Sequence, residues 1–193
     1  MNKNQKRTLL ALAALAIAVA VVNASVFAYY QIDVTITGVQ PPVVFVAGNN
    51  ANKADLGAGN SIAVALGANS TSAAITIHPT YQHTYYHDVL KVNNIDRNKA
   101  YYVAFKVTSA ISSWPSDSVA KMIIYSSGGS KVTDVDLKAN SDTGWIGLLD
   151  ANDYYRIDFY IYYPEGNQLP GGTVQVQLIY SPQNPSTIPT LPS

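Results

Sequence analysis

From residue 29 onward, apolar and polar positions alternate in short runs. The first run covers residues 29–38. Tyr30, Ile32, Val34 and Ile36 fall on one side, and Gln31, Asp33, Thr35 and Thr37 on the other. Side chains of a strand point alternately to its two faces, so this run predicts a strand with one dry side. Gly38 and the Pro41-Pro42 pair separate it from the chain that follows. A detached amphipathic strand can pair inside its own domain, or it can leave and fill a groove in a neighbouring molecule.

Further short runs follow, some alternating and some largely apolar, as at 43–47, 119–125 and 145–149. Strands are predicted over residues 43–47, 61–66, with Ile62, Val64 and Leu66 inward, and 73–78, with Ile75 and Ile77 inward. Residues 79–87 read as a polar, aromatic connection, and 88–94 as a strand. Residues 100–110 form the clearest internal run, with Tyr101, Val103, Phe105 and Val107 on one face; aromatic and β-branched residues favour that role. Further strands are expected at 119–125, 131–137, 145–149, 154–163 and 173–180. In residues 154–163, Tyr155, Ile157, Phe159 and Ile161 face one way, and Tyr154, Arg156, Asp158, Tyr160 and Tyr162 the other. Gly- and Asn-rich turns separate these runs, and residues 181–193 form a proline-rich tail, read as extended or disordered. The pattern predicts an all-β chain with one antiparallel β-sandwich of jelly-roll type over residues 39–180.

Residues 1–28 carry no such alternation. Lys3, Lys6 and Arg7 precede an unbroken apolar run over residues 9–22, and Val26-Phe27-Ala28 offers small residues where a signal peptidase cuts. This predicts a secretory signal peptide cleaved after Ala28, which would make residues 29–38 the mature terminus. The alternatives are cleavage after Ala24 or Ser25, an uncleaved anchor, and a pilin-type leader. The run falls short of the ~20 residues that span a bilayer, which weighs against the anchor.

Composition narrows the function classes. Only 12% of residues are charged, well below the usual quarter. Without Lys3, Lys6 and Arg7 the balance is 9 basic to 12 acidic residues, with no basic run, so the footprint of a nucleic-acid binder is missing. The chain has no cysteine, which excludes disulfides, thiol catalysis and cysteine-based zinc sites.

Candidate chemistry is sparse. His78, His83 and His87 lie close in sequence, but Thr84 stands where a zinc protease motif needs glutamate, and the segment reads as extended rather than helical. Ordinary loop histidines are the favoured reading; a metal-dependent hydrolase built on the three is the rival. Asp150 and Asp153 could offer oxygen ligands to calcium, without the spacing of an EF-hand loop. No nucleophile elbow and no paired carboxylates point to hydrolysis, so no catalysis is expected. Asn69-Ser70-Thr71 is a glycosylation sequon in a predicted turn, marking Asn69. Five tyrosine doublets, at 29–30, 85–86, 101–102, 154–155 and 162–163, would each send one ring outward, toward glycans or other subunits.

Two features together carry a resemblance. One is the leader ending on an amphipathic strand. The other is residues 85–94 (YYHDVLKVNN) followed by residues 99–107 (KAYYVAFKV). There an aspartate starts a strand ending in Asn, then come a turn and an aromatic-rich strand. This resembles the TasA/camelysin-like secreted fibre proteins and their archaeal relatives, which form bundling pili, threads and cannulae. The resemblance covers residues 29–36 and 85–107, and the remainder only as fold class. It implies a jelly-roll subunit of an extracellular, cell-surface filament. In it, the mature N-terminal strand of one copy would enter the sheet of the next by donor-strand complementation, with Tyr30, Ile32, Val34 and Ile36 as the buried knobs. Burying four such side chains contributes roughly 6–12 kcal/mol before ordering costs. The partner is then the chain itself, with no nucleic acid, no membrane after cleavage and no cofactor beyond calcium. The metalloprotease activity ascribed to some relatives has no zinc-protease motif to rest on here. A secreted monomeric module binding glycans or a cell-surface layer through outward tyrosines is the alternative expectation.

Overall fold

The computed structural model describes residues 1–22, 29–166 and 168–189. The chain divides into two units, Met1–Gly38 and Val39–Ser193. In the first, α1 (Lys3–Val22) is helical, as a run of Ala and Leu favours. No helix among the described residues is long and apolar enough to cross a membrane. The proposed cleavage point after Ala28 lies outside the described residues.

Residues 29–38 belong to no helix or sheet. The strand read there from alternation is not formed. A single strand has no hydrogen-bond partners of its own, so an alternating run becomes a strand only once paired.

The second unit is built of antiparallel sheets. Its strands are β1 (Val43–Ala47), β2 (Ala63–Leu66), β3 (Ala73–Thr76), β4 (Gln82–Asn94), β5 (Tyr101–Ser109), β6 (Val119–Ser126), β7 (Lys131–Asp136), β8 (Leu148–Leu149), β9 (Tyr154–Tyr163) and β10 (Gln175–Ser181). They form a five-stranded sheet in the order β1-β4-β9-β6-β7, a three-stranded sheet β10-β5-β8 and a two-stranded hairpin β2-β3. Inward residues of the larger sheet, among them Leu90, Val92, Met122, Ile124, Ile157 and Ile161, share one core with Val103, Phe105 and Val107 of β5. All-β, sandwich-like packing is therefore what the alternating pattern builds.

Several boundaries differ from the expectation. The connection read over residues 79–87 is largely the first half of β4, which sends Thr84 and Tyr86 into the core and His83, Tyr85 and His87 outward. Its polar rings obscured a period-two pattern that is present. Leu66 is exposed rather than inward, at the turn end of the β2-β3 hairpin. Residues 145–149 supply only the two-residue β8. The tail begins one residue late, since Ser181 ends β10; residues 182–189 carry no helix or strand, and 190–193 lie outside the described residues.

The centre of β4 is bulged. Tyr86 faces Phe159 and Leu90 faces Ile157, so His87, Asp88 and Val89 together oppose Asp158 alone. Asp88 has φ of 47°, a left-handed conformation that aspartate tolerates better than most residues.

Candidate functional site

The sheet opposite the five-stranded one is interrupted. Hairpin β2-β3 and sheet β10-β5-β8 are not hydrogen-bonded to each other. Where the two approach, an apolar groove of about 640 Å³ opens. Its walls include Ala73, Ile75 and Ile77 on one side and Val174, Val176 and Leu178 on the other. Its floor includes Leu90, Met122, Ile157, Phe159 and Ile161 of the five-stranded sheet. Protein interiors are close-packed and rarely hold voids larger than a water molecule, so an apolar space of this size inside a core is an unfilled position.

The edges of the groove are open strands. Val103, Phe105 and Val107 of β5 bond to the 141–147 segment through Gly147, Thr143 and Ser141. The even-numbered residues of β5 therefore bond to β10, opposite Gln177, Ile179 and Ser181. By the same alternation, Val176 and Leu178 turn their N–H and C=O groups away from β5, toward the groove. In the hairpin, Gly67 N–H donates to Ser72 O, and Ala74 and Thr76 lie opposite Ala65 and Ala63. Ala73 and Ile75 thus turn their backbone groups away from β2. Each edge offers both the apolar side chains and the main-chain donors and acceptors of the same residues, which is what an added strand requires.

The predicted donor residues have the matching character. Tyr30, Ile32, Val34 and Ile36 are 89%, 82%, 74% and 90% exposed. Gln31 donates from Nε2 to Asp33 Oδ1 at 2.8 Å, so the polar side of the segment bonds to itself.

The three histidines do not converge. His78 lines the groove, its Nδ1 3.0 Å from Asp55 Oδ2, and its backbone N–H donates to the same oxygen at 2.7 Å. His83 stacks against Tyr160 and Tyr162, with Nδ1 2.6 Å from the Tyr160 hydroxyl. His87 Nδ1 lies 3.1 Å from Asp158 Oδ2. Asp150 and Asp153 stand in the turn before β9, where the Asp153 carboxylate accepts from the Tyr154 amide at 2.8 Å. Among the described residues, no three His, Asp or Glu side chains are grouped to hold a metal ion. Asn69 is exposed, in a short 3-10 turn at Ala68–Ser70, with φ of 56°.

Sequence reasoning missed two buried polar centres. Asp158 points to the outer face of β9, as the alternation says, yet is fully buried. Tyr85 donates to its Oδ2 at 2.6 Å, the Asp88 amide to its Oδ1 at 2.7 Å, and Arg156 to both oxygens. Burial alone raises a carboxyl pKa; here the hydrogen bonds from Tyr85, Asp88, His87 and Arg156 outweigh it and hold Asp158 below the ordinary range. Burial and the adjoining carboxylate push the Tyr85 phenol well above its ordinary value. The second centre is Asn94, whose side-chain amide donates to Lys99 O, Leu149 O and Asp150 O at 2.7, 3.1 and 3.0 Å. A charged residue inside an alternating strand and an Asn at its end were the available signals; neither tells burial from exposure.

The outward rings gather on one surface. His83, Tyr85, Tyr125, Tyr160 and Tyr162 all lie on the outer face of the five-stranded sheet, with the Arg156 guanidinium 4.3 Å from the centre of the Tyr125 ring. No protein-family model matches this chain, and no curated protein matches it.

Proposed function

We propose that this chain is the subunit of an extracellular filament, in which residues 29–37 of one copy fill the groove between β3 and β10 of the next. The observation that carries the reading is the groove itself: apolar, flanked by two open strand edges, in a chain that also holds an unpaired segment of period two. A strand laid there would hydrogen-bond on both sides, joining β2-β3 to β10-β5-β8. Tyr30, Ile32, Val34 and Ile36 would drop into the core, and Gln31, Asp33, Thr35 and Thr37 would face out. The completed sandwich is then of jelly-roll type. A head-to-tail contact of this kind does not close on itself and so propagates. The reading makes residues 1–28 a cleaved export signal and assigns no catalysis and no cofactor.

The test is electron microscopy of purified residues 29–193 beside residues 39–193, at equal concentration, with and without calcium. Filaments from the longer form only are expected. Monomers from both would overturn strand donation, and filaments from both would mean that another surface holds the polymer.

The aromatic outer face favours a second reading, a glycan-binding module, since tyrosine rings stack on sugars and the exposed Tyr85 has the half-buried Tyr125, Tyr160 and Tyr162 on the same face. A glycan array probed with residues 39–193 separates the two. Binding lost in Tyr162→Ala, with no filament formed by residues 29–193, would select it.

A further inference from the structure

One cluster of reactive side chains stands apart from the groove, where the turn after β1 meets the bulge of β4. Lys91 Nζ donates to Asn49 Oδ1 at 3.4 Å and lies 3.5 Å from Asp88 Oδ2. The Tyr154 ring centre is 5.1 Å from the same nitrogen. The Asp88 side chain is 6% exposed and that of Lys91 17%. The other carboxylate oxygen, Asp88 Oδ1, is buried with no hydrogen-bond partner. A buried polar oxygen is ordinarily hydrogen-bonded, so this one is an exception within the cluster.

The backbone holds the three groups together. Gly48 N–H donates to Val89 O at 2.9 Å, Asn50 N–H to Asp88 O at 3.0 Å, and Asn50 Nδ2 to His87 O at 2.8 Å. A Cβ at position 48 would lie 2.1 Å from Asp88 O, so only glycine lets the turn sit this close to the bulge. Asn49 is thereby pinned beside Lys91, while its own exposure leaves a way out for a small leaving group.

We propose that Lys91 and Asn49 become joined by an amide bond, with Asp88 carrying the proton. Asp88 takes a proton from the Lys91 ammonium. The freed amine attacks Asn49 Cγ, and the tetrahedral carbon expels its amide nitrogen, to which Asp88 returns the proton. Asp88 then takes the second proton from the former lysine nitrogen, so a neutral amide, ammonia and a protonated Asp88 result. The Nζ–Cγ bond forms, the Cγ–Nδ2 bond breaks, and one ammonia leaves. No oxidant or added cofactor is needed. Holding amine, carbonyl and proton carrier in contact makes the reaction intramolecular, where orientation alone supplies a large rate advantage. The bond would tie edge strand β1 to β4, next to the sheet centre, in a chain with no cysteine to form a disulfide. It stands whether or not the chain forms filaments.

Intact-mass spectrometry of the purified chain tests it directly. The mass is expected below that of the processed sequence by one ammonia. Trypsin should fail to cut after Lys91 and should yield a branched species joining the peptide that ends at Lys53 to the one running from Ala54 to Arg97. Lys91→Arg and Asn49→Ala should each restore the plain mass. Asp88→Asn, which tolerates the same backbone, should leave most molecules unlinked. An unmodified mass with normal cleavage after Lys91 overturns the proposal, and so does an ammonia loss that survives Asn49→Ala.

Discussion

The backbone N–H of Asp88 donates to Oδ1 of Asp158 at 2.7 Å, and this bond fastens the bulge of β4 onto the middle of β9. Asp158 also takes Tyr85, His87 and Arg156, so one carboxylate compensates for ladder bonds that the bulge gives up. Removing it should be severe. Asp158→Ala leaves a largely buried guanidinium and a backbone donor without a partner, and should cost about 3–5 kcal/mol in denaturant unfolding. A loss under 1 kcal/mol would mean that water replaces the carboxylate.

Stability should depend on pH through the same group. The folded-state pKa of Asp158 is depressed, while an unfolded aspartate titrates near ~3.9. Its contribution is therefore complete above about pH 5 and is lost as pH falls through ~4 and below. Tyr85 has the opposite shift: its folded-state pKa is raised, so its contribution is complete below its unfolded value near ~10 and is lost as pH rises beyond that. Urea midpoints should be flat between these limits and fall outside them. In Asp158→Asn the acid limb should flatten.

Substitutions in residues 29–37 and in the groove should both stop assembly, each from its own side of the contact. Val34→Asp changes a residue that is 74% exposed, so it should leave the thermal midpoint of the isolated chain within measurement error while abolishing filaments. Leu178→Arg puts a charge on the groove wall and should also block assembly, this time from the acceptor side. Mixing the two variants should give dimers and nothing longer, because each retains only one competent end. Thermal scans with electron microscopy of the mixture check this. A large loss of stability in Val34→Asp would show that residues 29–37 pack within their own chain.

Asn94 should prove to be the most sensitive uncharged polar residue in the domain. Its amide collects the carbonyls of Lys99, Leu149 and Asp150, and its Oδ1 accepts from the Asp96 amide at 3.0 Å. Asn94→Ala leaves these groups unsatisfied and should cost about 1–3 kcal/mol. Asn94→Asp should cost more, because it sets a carboxylate against three carbonyl oxygens. Chemical denaturation ranks the two, and the reverse order would contradict this account.

Alternation alone was enough to place β5 and β9, since a half-buried strand must repeat every two residues and these runs do; β6 was read from a largely apolar run instead. Alternation also marked Tyr30, Ile32, Val34 and Ile36 as one apolar face, separated from the domain at Gly38 and Pro41-Pro42. Those are local properties of the chain. The bulge at Asp88, the burial of Asp158 and the reach of Asn94 are not local. Each depends on a partner more than fifty positions away, and a sequence carries no distance between such positions. Whether an alternating run becomes a strand is likewise decided by what lies beside it. Residues 82–87 pair with β9 as the first half of β4, whereas residues 29–38 carry no helix or strand. The groove between β3 and β10 is a relation between two edges, and only the packed sheets bring it into being.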